Sequence, residues 1–476
     1  MQKRYIPQLD MTISPLGFGV MRLPVNADGT SVHRLLVEAY ERGINYFDTA
    51  YPYLGGHSEQ LIRDALVAHY PRASFHIADK MPVWDCNGRG DMERIFDIQL
   101  ERLGVEYIDF YLLHGLHHAR WLDIYNKGVL DFLDNKLKEG RIRKAGFSFH
   151  DTAGVLVPIL NAYEWDFTLL QINYYDWTAQ RASDCYDLLA EREIPCMVME
   201  PVGGGRLAKL PSTAENLLKK VRPNDSIASW ALRFTASLEN VAVTLSGMSD
   251  MAQLVDNLSV FTTNAKLSEA ELSALGDVVE ILKNANTIPC TACGYCVDDC
   301  PKNIDIPQIF TRYNDYMQFE NAARFDVDYN AFVPPQRRGS RCVSCGKCTE
   351  KCPQNIDIPK ELKLVHNKAV GMSIGVDIDV LEKHLANAPL LICFGSGAMG
   401  RAAASALSEC GFKVDYFCDN NEKTWGTTVD GVEVISPTQL EELGKTKNIG
   451  VLITSSYRKE ISTQLESMGV RMLNQL

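Results

Sequence analysis

The sequence lacks a long apolar run, an excess of basic residues and an apolar segment near its start. A transmembrane helix needs about 20 consecutive apolar residues, and no stretch of the 476-residue chain approaches that length. The formal charge of −12 argues against a nucleic-acid binder, because such proteins carry a basic face. The beginning, Met-Gln-Lys-Arg-Tyr-Ile-Pro, has no apolar secretory core. We therefore expect a cytoplasmic protein without membrane or nucleic-acid partners, whose cysteines stay reduced or bind metal.

Cysteine, by contrast, is abundant, and eight of the fourteen cysteines form a run that occurs twice. Both copies have the spacing C-x2-C-x2-C-x3-C-P, and Asn-Ile-Asp-Ile-Pro follows each of them, at residues 303–307 and 355–359. The segment is therefore an internal repeat. The cysteines of the two copies are Cys290, Cys293, Cys296 and Cys300, then Cys342, Cys345, Cys348 and Cys352.

This spacing is that of the bacterial ferredoxin run, which binds [4Fe-4S] clusters. Three closely spaced cysteines on a turning loop can hold three corners of a cluster, and the fourth ligates the other cluster. Zinc sites built from separated C-x2-C pairs, and disulfides of secreted chains, fit the repeat poorly. The predicted ligand sets are Cys290, Cys293, Cys296 and Cys352 for cluster one, and Cys342, Cys345, Cys348 and Cys300 for cluster two. Residues 285–380 resemble ferredoxin domains of the mainly helical type.

Eight short apolar runs alternate with amphipathic helices over the first 284 residues. The runs are residues 16–21, 44–47, 75–78, 108–113, 142–147, 169–172, 196–199 and 241–245. Alternation of strand and helix implies parallel strands. Eight such units in about 280 residues predict a TIM (β/α)8 barrel.

Polar residues follow several of these predicted strands. Asp48 and Tyr53 follow the second strand, Lys80 ends the third, and His114 ends the fourth. A single histidine or lysine at such a place is commonly structural or solvated. Four compatible groups on successive strand ends, where barrel enzymes have their active sites, predict a catalytic set.

Residues 5–262 resemble the aldo-keto reductases. The motifs that carry the resemblance are residues 47–50 with Tyr53, then 55–59, Lys80, 107–114, 146–148, 171–173 and 247–249. The resemblance implies NAD(P)H-dependent reduction of a small-molecule carbonyl by hydride transfer. It also implies a catalytic tetrad of Asp48, Tyr53, Lys80 and His114.

The chemistry of these four side chains agrees with such a reaction. Hydride addition leaves an alkoxide that needs a proton, and Tyr53 can supply it, although a free phenol has a pKa of about 10. The Lys80 ammonium would lower the pKa of Tyr53. Asp48 would hold Lys80 charged and in place, and His114 would donate to the carbonyl oxygen.

The resemblance also implies a nicotinamide site. Tyr174 would stack on the nicotinamide, and the loop 200–205 would pass near the pyrophosphate, where small residues let the backbone approach. The implied cofactor-binding residues of the barrel are Ser148, Gln171, Asn173, Tyr174, Pro201, Gly203, Gly247, Ser249, Gln253 and Asn257.

One departure from the family concerns the NADP 2′-phosphate. Many members have a basic residue where this chain has Gly247. Arg206 and Lys209 are the candidate substitutes, so the choice between NADP(H) and NAD(H) stays open.

A third predicted domain begins near residue 385. A buried strand at 390–394 is followed by Gly395, Gly397 and Gly400, then by a helix and a strand that leads to Asp419. Strand, glycine turn, helix, strand and acidic residue are typical of nucleotide-binding Rossmann folds. The segment resembles small domains that precede sugar acetyltransferases. A flavin or another nucleotide is its expected ligand, and a docking module with an empty site is the alternative.

The sequence therefore predicts an α/β protein of three domains: a TIM barrel (1–284), a mainly helical two-cluster 4Fe-4S ferredoxin-type domain (285–380) and a small Rossmann-like α/β domain (385–476). The leading interpretation is an aldo-keto reductase with two clusters for electron transfer and a redox protein partner. A nicotinamide transfers two electrons as hydride while each cluster passes one, and no flavin motif is evident. A redox sensor or electron-transfer module whose barrel binds nicotinamide without turnover is one alternative. Clusters with a purely structural role are the other.

Overall fold

The computed structural model describes residues 1–24, 29–262, 266–285, 287–290, 292, 294, 296–297, 299–352, 354–386 and 390–473. Cys293, a predicted cluster ligand, lies outside these residues. The chain divides into two compact units, Met1–Asn284 and Ala285–Leu476. In the described part of the chain, no helix is both long and apolar enough to cross a membrane.

Eight strands of the first unit form a closed barrel in which neighbouring strands are parallel. Each of the eight apolar runs overlaps one of these strands, so the prediction of a TIM barrel is confirmed. The barrel strands are β3 (Leu16–Gly19), β4 (Tyr46–Asp48), β5 (His76–Met81), β6 (Ile108–Leu116), β7 (Ile142–Phe149), β8 (Phe167–Gln171), β9 (Cys196–Met199) and β10 (Val241–Ser246).

Helices connect the strands, because parallel neighbours need a crossover connection. The helix Arg89–Leu103, for example, buries an apolar face that includes Ile95, Phe96 and Leu100. The helices are α1 (Gly29–Glu41), α2 (Ser58–Ile62), α3 (Arg89–Leu103), α4 (His118–Asn126), α5 (Val129–Lys138), α6 (Ala153–Ala162), α7 (Asp176–Ala179), α8 (Ala182–Glu191), α9 (Ser212–Val221), α10 (Ile227–Ser237), α11 (Met251–Thr262) and α12 (Glu269–Lys283).

A hairpin closes the N-terminal end of the barrel. Strands β1 (Arg4–Ile6) and β2 (Met11–Ile13) pair antiparallel. Leu9 and Ile13 belong to the same apolar cluster as residues from the barrel strands, and Arg4 donates to the Val241 and Ala242 carbonyls of β10. With this end filled, the opposite end, where the strands terminate, is left for a site.

The second unit begins with a helical segment that holds the cysteine runs. Its helices are α13 (Ile306–Phe319), α14 (Ala322–Phe332), α15 (Lys347–Glu350), α16 (Ile358–Ile374) and α17 (Ile378–Leu385). Ile306, Phe310 and Leu362 form an apolar core that also contains Cys296 and Cys348. The cysteine loops therefore sit on a packed helical support, as the sequence predicts.

The rest of the second unit is an α/β segment with a mixed sheet. Its strands run in the order β13-β14-β12-β11-β15, all parallel except the β13–β14 pair. This order, apart from β13, is that of half a Rossmann fold, as predicted. The elements are β11 (Leu390–Phe394), α18 (Ala398–Glu409), β12 (Tyr416–Cys418), β13 (Thr428–Val429), β14 (Val432–Ile435), α19 (Pro437–Thr446), β15 (Ile449–Ile453) and α20 (Arg458–Ser467).

The helical and α/β segments share an apolar core. Val370 of α16 and Leu381 of α17 pack with Leu391 of β11 and Phe417 of β12. The two segments are thus continuous within one unit, and a domain division at residues 380–385 stays a prediction.

Candidate functional site

A buried ion pair lies at the C-terminal ends of β4 and β5. The Lys80 side chain is only 1% exposed. Its Nζ donates to Asp48 Oδ1 at 2.6 Å and to the Thr49 carbonyl at 2.8 Å. Burial lowers the pKa of Lys80, but the nearby Asp48 and Tyr53 outweigh it, so the net pKa lies above its ordinary value. Lys80 therefore remains an ammonium group inside the barrel.

Tyr53 approaches this ammonium from a turn after β4. The turn Tyr53–Gly56 contains three residues with positive φ, Leu54, Gly55 and Gly56, and it leaves the Tyr53 ring centroid 4.9 Å from Lys80 Nζ. Burial raises the pKa of Tyr53, and the opposing effect of Lys80 is smaller. Lys80 lowers the pKa of Tyr53, in the expected direction, but burial together with Asp48 and Asp79 outweighs it, so the net pKa lies above its ordinary value. At neutral pH the Tyr53 hydroxyl carries its proton.

His114 completes the group from the neighbouring strand β6. Its ring centroid lies 5.6 Å from that of Tyr53, edge to face. Burial, together with the charges of Lys80, His150 and Arg120, lowers the pKa of His114 to about 3. Its Nδ1 is buried without a hydrogen-bond partner among the described residues. A neutral imidazole has one N–H, so His114 can donate one hydrogen bond without carrying a charge.

All four side chains line one cavity of about 470 Å³. Six of the residues predicted to bind the cofactor line it as well. They are Ser148, Pro201, Gly247, Ser249, Gln253 and Asn257. The cavity therefore brings together the predicted catalytic group and most of the predicted cofactor residues.

The other four barrel predictions, Gln171, Asn173, Tyr174 and Gly203, lie outside the lining of this cavity. Gln171 Nε2 and Asn173 Nδ2 both donate to Asp176 Oδ2, at 2.9 and 2.7 Å. Tyr174 is 3% exposed and packs edge to face on Phe234. The amides of Gln171 and Asn173 are thus engaged by the first residue of α7, and contacts of all four residues with a nicotinamide stay predictions.

Sequence reasoning missed two charged or titratable residues of the lining, Arg22 and His150. His150 directly follows β7, so the strand-end rule that found His114 could have found it. Arg22 lies after β3, and its Nη2 is 3.6 Å from Oε1 of Glu200, another residue of the lining. Arg206, a predicted substitute for the family's phosphate-binding residue, donates from Nε to the Gly203 carbonyl, and its contact with a 2′-phosphate stays a prediction.

In the second unit, the cysteines line two further cavities. One is lined by Cys290, Cys296 and Cys352, and the other by Cys300, Cys342, Cys345 and Cys348. Each cavity thus takes cysteines from both copies of the repeat. Ile306, 1% exposed, lines both of them.

The surroundings of these cysteines fit sulfur ligands of a cluster. The backbone N–H of Ile304 donates to Cys300 Sγ, and that of Ser344 donates to Cys342 Sγ, both at 3.4 Å. Hydrogen bonds to sulfur are a feature of iron–sulfur sites. Among the described residues, no three His, Cys, Asp or Glu side chains are grouped as ligands of a single metal ion.

The glycine loop of the α/β segment is held by its own acidic residue. Asp419 Oδ2 accepts from Ser396 N at 2.8 Å and from Ser396 Oγ at 2.6 Å. A Cβ on Gly400 would lie 1.9 Å from the Gly395 carbonyl oxygen, so this close approach requires glycine. Gly397 has open space around its Cβ position. The loop has the predicted geometry, while ribose binding by Asp419 stays a prediction.

Comparison with known proteins gives three matches along the chain. Residues 15–280 match the aldo/keto reductase family, residues 289–356 match a 4Fe-4S dicluster domain, and residues 389–474 match the domain described as C2185-like, N-terminal. The prediction of a 4Fe-4S segment is thereby confirmed.

The individual relatives match the barrel part. An uncharacterized oxidoreductase of Bacillus subtilis, YqkF, is 26% identical over 58% of this chain and 95% of its own length. An NADH-specific methylglyoxal reductase of Escherichia coli is 25% identical over 60% of this chain and 100% of its own. The holo structure of aldo-keto reductase AKR11C1 from Bacillus halodurans is 26% identical, with a TM-score of 0.50, over 58% of this chain and 96% of its own. Because the first family match spans more than half of the sequence, the chain belongs to the aldo/keto reductase family, and it is an oxidoreductase with a 4Fe-4S dicluster domain.

Proposed function

We propose that the barrel reduces the carbonyl group of a small molecule with NADPH or NADH, and that Tyr53 is the proton donor. The observation that carries this proposal is the buried Lys80–Asp48 pair beside Tyr53 and His114 in one cavity. Because this pair is buried, it is not an ordinary solvated ion pair of the protein surface. Its position against the phenol is suited to stabilising a transient phenolate.

The cavity lining offers the contacts that a dinucleotide needs. Gly204 and Gly205 belong to this lining, and both have positive φ and no side chain, so a pyrophosphate could approach the backbone of this loop closely. Ser249, Gln253 and Asn257 would hold the adenosine end near the start of α11. Bound there, the nicotinamide would supply a hydride to the carbonyl carbon.

The side chains would then transfer one proton to the carbonyl oxygen. His114, neutral because its pKa is lowered to about 3, would donate a hydrogen bond to the carbonyl oxygen. As the carbon–hydrogen bond forms, the Tyr53 hydroxyl would give its proton to that oxygen, and the resulting phenolate would be held by the Lys80 ammonium. Water would return the proton to Tyr53.

The test is the replacement Tyr53→Phe in the full chain, with oxidation of NADPH and of NADH followed against simple aldehydes. We expect nearly unchanged cofactor binding and a hydride step slower by about 10²-fold or more, because proton donation is lost. Equal rates in wild type and variant would exclude Tyr53 as the acid. Cofactor binding with no turnover of any aldehyde would instead favour the redox-sensor alternative.

For the second unit, we propose two [4Fe-4S] clusters, one held by Cys290, Cys293, Cys296 and Cys352 and the other by Cys342, Cys345, Cys348 and Cys300. Each of the two cysteine cavities is lined by cysteines from both copies of the repeat, and this crossed lining supports the division. The clusters would exchange single electrons with a redox protein partner. A redox titration separates this role from a purely structural one, because clusters that carry electrons must cycle between two states reversibly.

A further inference from the structure

An arginine and a tryptophan lie beside the catalytic imidazole. The Trp84 ring centroid is 5.0 Å from that of His114, and Arg120 Cζ is 4.5 Å from the Trp84 centroid. Arg120 Nη1 also donates to the Gly115 carbonyl at 2.9 Å. Because Gly115 follows His114 in the chain, the Arg120 guanidinium lies next to the residue that would contact the carbonyl oxygen.

The backbone makes room for this guanidinium. Gly115 has a φ of +64°, and a Cβ there would lie 2.7 Å from Arg120 Nη1. A side chain at this position would be strained and would displace the arginine. Trp84, 43% exposed, offers a ring face on which the cation stacks. Arg120 is therefore positioned from two sides rather than left free in solvent.

Most N–H donors of Arg120 form no hydrogen bond with other described residues, and its positive charge is not balanced by an acidic side chain there. Among the described residues it forms no ion pair with a carboxylate, and the Gly115 contact uses only one of its five N–H donors. The charged and basic groups that lower the pKa of His114 are Lys80, His150 and Arg120. The acid among the four catalytic side chains, Asp48, is already paired with Lys80. The acid acting on His150 is Glu200, which lies 3.6 Å from Arg22.

We propose that Arg120 binds a carboxylate of the substrate, so that the substrate class is a carbonyl compound that also carries a carboxylate. This inference rests on the reductase function proposed above. The planar guanidinium can take a carboxylate through two parallel N–H donors. Trp84, between Arg120 and His114, would pack against the carbon chain that separates the carboxylate from the reacting carbonyl. Arg120 is thus a specificity-determining residue, distinct from the four catalytic side chains.

The experiment compares succinic semialdehyde with butanal, which differ by a carboxylate in place of a methyl group. We expect wild type to favour succinic semialdehyde in kcat/KM by about 10- to 100-fold, the range of a charge-assisted hydrogen bond. Arg120→Met should abolish that preference, chiefly through KM, and lower kcat/KM much more for succinic semialdehyde than for butanal. Arg120→Lys, which keeps the charge but not the fork, should retain part of the preference.

Three results would either overturn the carboxylate site or distinguish its failure from failure of the proposed reductase function. Absence of a preference in wild type, or equal losses for both aldehydes in Arg120→Met, would reduce Arg120 to a support of the Gly115 turn. If neither aldehyde is reduced, the reductase proposal fails for these probes, and calorimetry with succinate decides about Arg120. Succinate binding that is lost in Arg120→Met would still support a carboxylate site, and unchanged binding would exclude it.

Discussion

Replacing Asp48 with asparagine isolates the buried ammonium of Lys80. In the native barrel, Asp48 Oδ1 is 2.6 Å from Lys80 Nζ, and both side chains are almost fully inaccessible. Removing one partner of such a pair leaves an uncompensated buried charge, which typically destabilises a protein by ~3–5 kcal/mol. An exposed pair would change stability by only ~0–1 kcal/mol. The two cases are therefore well separated.

The sign of the pH dependence follows from Lys80. Native Lys80 has a raised pKa, so its contribution to stability is present below the pKa of the unfolded chain and is lost at strongly alkaline pH. Without Asp48, burial is opposed only by the weaker effects of Tyr53 and Asp79, and the folded pKa of Lys80 falls. The deficit of Asp48→Asn should thus be largest near neutral pH, and it should shrink as the pH rises and Lys80 loses its proton.

Denaturant unfolding followed by tryptophan fluorescence suits this test, because five of the six tryptophans lie before residue 285. The double replacement Asp48→Asn with Lys80→Met is the matched control, since it removes both charges and should recover much of the stability. A neutral-pH deficit below ~1 kcal/mol would refute the reasoning, as that is the range of a solvated pair. So would a deficit that does not change with pH.

Three further predictions concern other parts of the chain. Anaerobic reconstitution should give about eight iron and eight sulfide per chain. Cys300→Ser should lose about half of this iron, whereas Cys196→Ser, at a position buried in the barrel, should lose none. Stoichiometric zinc without sulfide would contradict the assignment. Burial raises the pKa of Glu59 to about 7 despite its contact with Arg102. The contribution of Glu59 to stability is therefore present below about pH 4.5 and is lost as the pH rises through 7. The Tm measured from pH 5 to 8 should decline less in Glu59→Gln than in wild type, and parallel curves would contradict this. Calorimetry of the full chain with adenine, uridine and flavin nucleotides should detect binding that Gly397→Leu abolishes without unfolding, because the position is open; no binding by wild type would favour a docking module.

Much of the barrel could be predicted because its topology follows chain order. Once the eight strands are recognised, the residue that ends each one must face the same mouth. Asp48, Lys80 and His114 could therefore be brought together from their positions alone. The same reasoning could have included His150.

Properties set by burial or by local competition could not be read from the sequence. The net pKa of Tyr53 depends on how far burial outweighs Lys80, which needs coordinates. The engagement of Gln171 and Asn173 with Asp176 likewise depends on the shape of one turn.

The β13–β14 hairpin is a different case, because the sequence contains a turn signal from which this hairpin could have been predicted. Asp430 and Gly431 both have positive φ, and Asp-Gly is a strong two-residue hairpin signal. The flanking strands are only two and four residues long, so their alternation of apolar and polar residues is too short to be conspicuous.

The crossed lining of the two cysteine cavities bears on how the segment arose. A chain with a single copy of the run would supply three cysteines to one cavity and only one to the other. Two such chains, paired about a twofold axis, could complete both sets. The segment thus has the arrangement expected if the gene of a symmetric homodimer was duplicated and the two copies were joined. The matching residues 303–307 and 355–359 would then be the surviving trace of that ancestral symmetry.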